Sequence, residues 1–174
     1  MKRTLLSGAL AALVLSLSGC GYALVGRGSN IPEDVKSVYL RALENRTQRS
    51  QVEQSLTRAI ADELVTRQRF AVVGSEGEAN AEIQGAVTGF GVTPVTFDNT
   101  GRATEYEISI TAQIVFKRLG TEGKVLWKSD RYTFRETYPI DPSSTTYFDQ
   151  EDEAIDRASQ RFAETLITDL LEGF

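Results

Sequence analysis

Few side chains in this 174-residue sequence could act as nucleophiles or bases, because it contains no histidine and a single cysteine, Cys20. The missing histidine removes Ser–His and Cys–His nucleophile systems, imidazole general bases and most catalytic zinc sites. The glycines form no phosphate-cradling loop. There is no G-x-x-x-x-G-K-S/T run, and Gly85, Gly89 and Gly91 lack the helix that should follow such a loop. Carboxylates could still work in pairs, but Glu76 and Glu78 lie in a short polar loop and read as solvated. Asp149, Glu151, Asp152 and Glu153 lack the glycine and ligand spacing of a calcium loop. They read instead as the acidic start of a helix, where the dipole favours negative charge. The chain is therefore not expected to be an enzyme, and neither a metal site nor a dissociable cofactor is expected.

The chemistry that remains belongs to Cys20. Lys2 and Arg3 precede an apolar run from Leu5 to Leu17, which is too short and too rich in small residues to span a bilayer comfortably. A charged start, a short apolar run and then small residues make a secretory signal. The run ends Leu17-Ser18-Gly19-Cys20, which resembles the bacterial lipobox, where the thiol receives a lipid. The expectation is cleavage of residues 1–19, with an S-diacylglycerol and an N-acyl chain (palmitate, for example) on Cys20. Each buried CH₂ contributes about 0.8 kcal/mol, and stable anchoring takes more than one chain. Gly21, rather than Asp, after the cysteine implies passage to the outer membrane. Lipidation would consume the only thiol, so the domain is expected to fold on its core without a disulfide. Asn45-Arg46-Thr47 has the form of a glycosylation sequon, which is not expected to be used in such a lipoprotein.

The mature chain would carry 17 basic and 24 acidic side chains, a net charge of −7 that argues against nucleic-acid binding. The charge is uneven. Residues 102–135 hold seven cations (Arg102, Lys117, Arg118, Lys124, Lys128, Arg131, Arg135) against four acids, so this stretch could meet an anion.

The elements that must position these residues read in order. Residues 20–34, with Gly21, Gly26, Gly28 and Pro32, form a tether, and residues 35–174 form one domain. Val35 to Leu43 is a strand candidate with Val38, Leu40 and Ala42 on one face. Glu44-Asn45-Arg46-Thr47 reads as a polar turn. Ser50 to Glu53 has the spacing of a capping box, and a helix follows from about Gln51 to Gln68. Its stripe is Val52, Leu56, Ala59, Ile60 and Leu64. Phe70 to Val73 reads as a short strand or the packed exit from that helix. From Ala81 the period is two, with Gly85 and Gly89 suggesting a bulge or close packing against a helix. Asp98-Asn99-Thr100-Gly101 is a turn. Tyr106, Ile108, Ile110, Ala112, Ile114 and Phe116 then alternate with polar residues, marking a long antiparallel strand. Gly120 to Gly123 turns into a strand from Val125 to Tyr138, with a bulge near Lys128–Asp130. A second helix runs from about Phe148 or Asp149 to Leu171, with Ile155, Ala158, Phe162, Leu166, Ile167 and Leu170 as its stripe. Two amphipathic helices can cover only one face of a four-stranded sheet, so the other face should be left open and polar.

Taken in order, these segments resemble the LptE family. The resemblance rests on Cys20-Gly21-Tyr22-Ala23-Leu24, on the strand before Glu44-Asn45-Arg46-Thr47, and on the helix ending near Phe70-Ala71-Val72-Val73. It extends to Ala81-Glu82-Ile83-Gln84-Gly85-Ala86-Val87, Thr104-Glu105-Tyr106-Glu107-Ile108 and Gly123-Lys124-Val125-Leu126-Trp127. The resemblance implies an α+β fold, order β-α-β-β-β-α, with two helices packed on one face of a four-stranded mixed or antiparallel sheet. It implies an outer-membrane lipoprotein that plugs and helps assemble the LptD β-barrel. Such a protein assists delivery of lipopolysaccharide to the outer leaflet and is anchored in the inner leaflet of that membrane. By the same resemblance Arg102, Arg131 and Arg135, with Lys117, are the expected contacts for the lipid's phosphates, which arginine forks recognise well. The alternatives are an accessory or scaffold lipoprotein of another outer-membrane machine, or a small periplasmic enzyme.

Overall fold

The computed structural model describes residues 31–120, 123–140 and 147–173, and the side chains of the last segment from residue 151 onward. The leader, Cys20 and most of the tether lie outside the described residues, as do residues 121–122 of the turn after the second long strand. The elements are β1 (Ser37–Leu40), β2 (Glu44–Asn45), α1 (Val52–Arg67), β3 (Ala71–Val73), a 3-10 turn (Glu76–Glu78), β4 (Ala81–Phe97), β5 (Ala103–Arg118), β6 (Val125–Pro139) and α2 (Tyr147–Glu172).

The sheet has six strands, not the expected four. Its order is β3-β1-β4-β5-β6, with β2 beside β4 farther along. The two additions are strands of two and three residues, too short to show a period of two. Chain geometry creates them: β1 ends at Leu40, bends through Arg41–Leu43, and rejoins β4 as β2 at Ala86 and Val87. The bend shifts the buried position from Ala42 to Leu43, whose amide donates to Thr57 Oγ1 on α1 at 3.0 Å. Helix α1 is then the crossover between the parallel strands β1 and β3. The pairs β4–β5 and β5–β6 are antiparallel hairpins.

The expected stripe of α1 is the buried one, and the stripe of α2 is buried too. Both pack on one face of the sheet against Ile83, Val87, Ile108, Ile110, Ile114 and Phe116, in one continuous core. The helices lie side by side and run the same way. Ser55 donates to Asp156 near their starts, and Arg67 to Thr168 near their ends. The hydroxyl of Tyr132 donates to Asp169 at 2.6 Å and ties β6 to α2. Burial first, then the Asp169 carboxylate, pushes that phenol well above its usual range. Ile31, at the end of the segment read as tether, is already buried in the core, and Asp34 is ion-paired with Arg118. Among the described residues no helix is long and apolar enough to cross a membrane.

The capping box does not form. Gln51 takes the N-cap position in the left-handed region (φ 68°) without a side-chain cap, and its carbonyl accepts from Gln54 and Ser55. Glu53 is used elsewhere, by Asn45. The Asn45 amide donates to the Arg49 carbonyl and to Glu53 Oε2, both at 2.7 Å. Its oxygen accepts from the Thr47 amide and hydroxyl, both at 2.8 Å. All four hydrogen-bonding positions of one side chain are thus filled, and together they fix the path from β2 into α1.

Candidate functional site: the uncovered sheet face

Along β5 every residue facing the helices from Ile108 to Phe116 is buried, while the alternate residues Glu107, Ser109, Thr111, Gln113, Val115 and Lys117 are only half-buried. This face carries Gln84 and Thr93 from β4, and Thr133, Arg135 and Thr137 from β6. Thr111 and Thr133 hydroxyls meet across the strands at 3.1 Å. Two irregularities shape it. In β4 the register shifts at Thr88, between Val87 and Gly89. In β6 it shifts between Ser129 and Tyr132, where a bulge was expected from the change of phase at Trp127. Gly85 faces β5 rather than a helix: a Cβ there would lie 2.1 Å from the Gln113 carbonyl oxygen. No side chain other than hydrogen fits that approach.

One carboxylate on this face is fully buried. Glu82 has no solvent exposure. Its Oε1 accepts from Arg41 Nε at 2.5 Å, and its Oε2 lies 2.9 Å from Lys117 Nζ. Burial alone would raise the carboxyl's pKa. The hydrogen bonds and charges of Lys117 and then Arg41 outweigh it and hold the group below its ordinary range. Arg41 also reaches Glu76 at 2.9 Å. The triad joins β4, β5 and the bend after β1. Alternation placed Glu82 on the polar face, and its burial arises because two long cationic side chains converge over it from either side.

A shallow cleft of about 220 Å³ lies next to the triad, flanked by Arg41 and Arg46 and floored by Gly85 and Ala86. Both arginines are already paired, Arg46 with Glu44 at 2.7 Å and with Gln113 at 3.3 Å.

The four cations expected to meet a lipid phosphate are spread along the sheet. Arg102 sits at the tip of the β4–β5 hairpin, paired with Asp98 at 3.3 Å. The Thr100 hydroxyl, then the backbone amides of Arg102 and Thr100, hold Asp98 well below the usual carboxylate range and lock the turn. Lys117 stands at the other end of β5, about 50 Å away at roughly 3.3 Å per residue, and is committed to Glu82. Arg135 lies opposite Ser109, exposed, with a long 3.5 Å contact to Glu107. Arg131 is exposed in the β6 bulge, about 13 Å farther along. The fold thus strings the four along the sheet, with Arg131 between Arg135 and Lys117, about four residues or 13 Å from each, and Arg102 at the far end beyond Arg135. Among the described residues no group of acidic side chains is arranged to hold a metal ion. The Asn45 network was not identified beforehand. Its signal was Asn two residues before Thr, the pattern of a side chain that bonds its own backbone two residues on.

A family model described as LptE, lipopolysaccharide-assembly, matches residues 35–170. Among solved structures the chain is similar to a candidate lipoprotein from Caulobacter crescentus CB15, at 20% identity and a TM-score of 0.52, over 75% of this chain and 88% of that one. It is similar to a hypothetical protein from Chlamydia trachomatis, at 10% identity and a TM-score of 0.54, over 80% and 97% of the two chains. A third likeness is rare lipoprotein B from Shewanella oneidensis, at 16% identity and a TM-score of 0.46, over 76% and 95%. At these identities the first two bear on the fold alone. No curated protein matches the chain in sequence. The family match covers well over half of the chain and runs from the residues before β1 to the end of α2, so the chain belongs to the LptE family of lipopolysaccharide-assembly lipoproteins, which are not enzymes.

Proposed function

We propose that this chain is an outer-membrane lipoprotein, acylated on Cys20, that fills and helps assemble a large LptD-type β-barrel and assists passage of lipopolysaccharide to the outer leaflet. The observation that carries the reading is the division of the sheet into a face sealed by two helices and a long polar face with no helix over it among the described residues. A large membrane barrel has a polar, water-filled interior. A surface of Thr, Ser, Gln and paired charges suits such a lumen, where an apolar face would not. The acyl chains at the first mature residue would hold the plug at the inner leaflet.

The test is purification of the acylated chain from outer membranes in mild detergent, with mass spectrometry of what accompanies it. A barrel protein in near 1:1 amount is the expected result. Recovery of the chain alone would overturn the reading. Within it, Arg131, Arg135 and Arg102 are the proposed phosphate contacts, with Lys117 secondary because Glu82 already holds it. Changing the three arginines to glutamate should lower lipopolysaccharide binding by about tenfold or more. Unchanged binding by the folded triple variant would remove that assignment.

A further inference from the structure

The upper half of β4 has a free edge. Its partners on the side away from β5 end at Ile83 for β1 and at Val87 for β2. The last backbone bond on that side is from the Arg46 amide to the Val87 carbonyl, at 2.9 Å. From Thr88 to Thr93, among the described residues, the backbone edge pairs with no strand. At Pro94, which has no N–H, and at the register shift beyond it the template stops. About six residues, roughly 20 Å of strand, are therefore open to pairing.

Exposed strand edges are normally guarded by charges, bulges or proline. The sheet's other long edge is: β6 carries Lys128, Asp130, Arg131, Arg135 and Glu136, with a bulge among them. The β4 edge is built the opposite way. No charged side chain occurs between Glu82 and Asp98, in a chain where a quarter of residues are charged. Phe90 and Val92 are half-buried at its helix side, with the Arg49 guanidinium over the Phe90 ring at 5.9 Å. Gly89 and Gly91 leave the opposite side flat, with Thr111 and Ser109 behind them. Val95 and Phe97 stay exposed just beyond.

We propose that Thr88–Thr93 of β4 receives an uncharged, extended segment of the barrel partner as an added strand, continuing the line of β1 and β2. This rests on the barrel reading above and names the edge where that partner docks. The segment's chemistry follows from the edge. Backbone hydrogen bonds give affinity, apolar side chains fall in line with Phe90 and Val92, and bulky side chains lie over the two glycines, as aromatic neighbours do beside strand glycines. A charged segment would lose solvation there without gaining a partner.

The test uses the acylated full-length chain in its own envelope. Photo-crosslinking residues are placed at Thr93 and Val95, and at Thr165, exposed on α2, as the comparison. Crosslinks to the co-purifying barrel from the first two sites, mapped to an uncharged segment, are expected. Thr93→Lys with Val95→Lys, both at exposed positions, should reduce barrel recovery about tenfold with unchanged thermal melting, whereas Thr165→Lys, exposed on α2 and away from the polar sheet face, should leave recovery unchanged. Barrel recovered in full with the β4 sites silent overturns the edge assignment alone. A crosslinked band at twice the chain's mass shows a second copy in place of the barrel and also overturns it. Absence of any barrel overturns the reading beneath it, and this inference with it.

Discussion

Removing Lys117 isolates the energetics of the buried carboxylate at Glu82. The Lys117→Met variant keeps the length and apolar stem of the side chain and deletes the ammonium that sits 2.9 Å from Oε2. Breaking a fully buried ion pair by deleting one partner costs about 3–5 kcal/mol. Here Glu82 retains Arg41, and Lys117 and Arg41 are 29% and 48% exposed, so solvent screens part of each contact. The expected loss is about 1.5–3 kcal/mol for Lys117→Met, and a smaller one for Arg41→Met, whose guanidinium is more exposed. For a domain of this size that lowers the melting temperature by about 4–10 °C. Replacing the whole triad with Met, Leu and Met should return stability to within about 1 kcal/mol of the parent, because no buried charge is left unpaired. The pH dependence has a definite sign. The folded carboxyl sits below its ordinary value of 4.5, so its contribution is present above that value and is lost as pH falls through the folded pKa. Urea unfolding from pH 7 to pH 3, compared between the parent and Glu82→Gln, reads this directly. The parent should lose more stability on acidification. Single variants within about 0.5 kcal/mol of the parent, or identical acid slopes, would refute the reasoning.

Asn45→Ala removes four hydrogen bonds from the entry to α1 and should cost about 2–3 kcal/mol in urea unfolding. Asn45→Asp should cost more at neutral pH than at pH 4, since it replaces the amide donor facing Glu53 with a second carboxylate. Gly85→Ala places a methyl carbon 2.1 Å from a backbone oxygen, so β4 and β5 must separate locally. The expected loss is about 2 kcal/mol or more, with faster amide exchange at Gln113 and Ile114.

Long periodic segments were legible from the sequence alone. The stripes of α1 and α2, the alternation of β5 and the β6 bulge all follow from apolar spacing, which fixes the face a residue takes. The short strand β3 was one of two readings of Phe70–Val73, whereas β2, read as a polar turn, was not legible, because two residues carry no period and its pairing depends on where β4 lies. The apparent capping box failed for a related reason. Ser50 and Glu53 have the right spacing, but Asn45, eight residues earlier, captures Glu53. Burial of Glu82 could not be seen either. Local pattern assigns it a polar face, and only the bend at Arg41 and the register of β5 bring two cations over it. Of the four cations that the family resemblance pointed to as lipid contacts, Arg102 and Lys117 stand at opposite ends of β5, about 50 Å apart, a separation that only the strand's length reveals.

The central claim, that the polar sheet face lies inside another protein's lumen, is tested most directly by solvent labelling. Single cysteines at Ser109 and Thr133, in the acylated chain, would be challenged with a small thiol reagent in intact envelopes and again after purification and separation from partners. Slow labelling in the envelope and fast labelling of the isolated chain are predicted. Equal, rapid labelling in both would contradict the account.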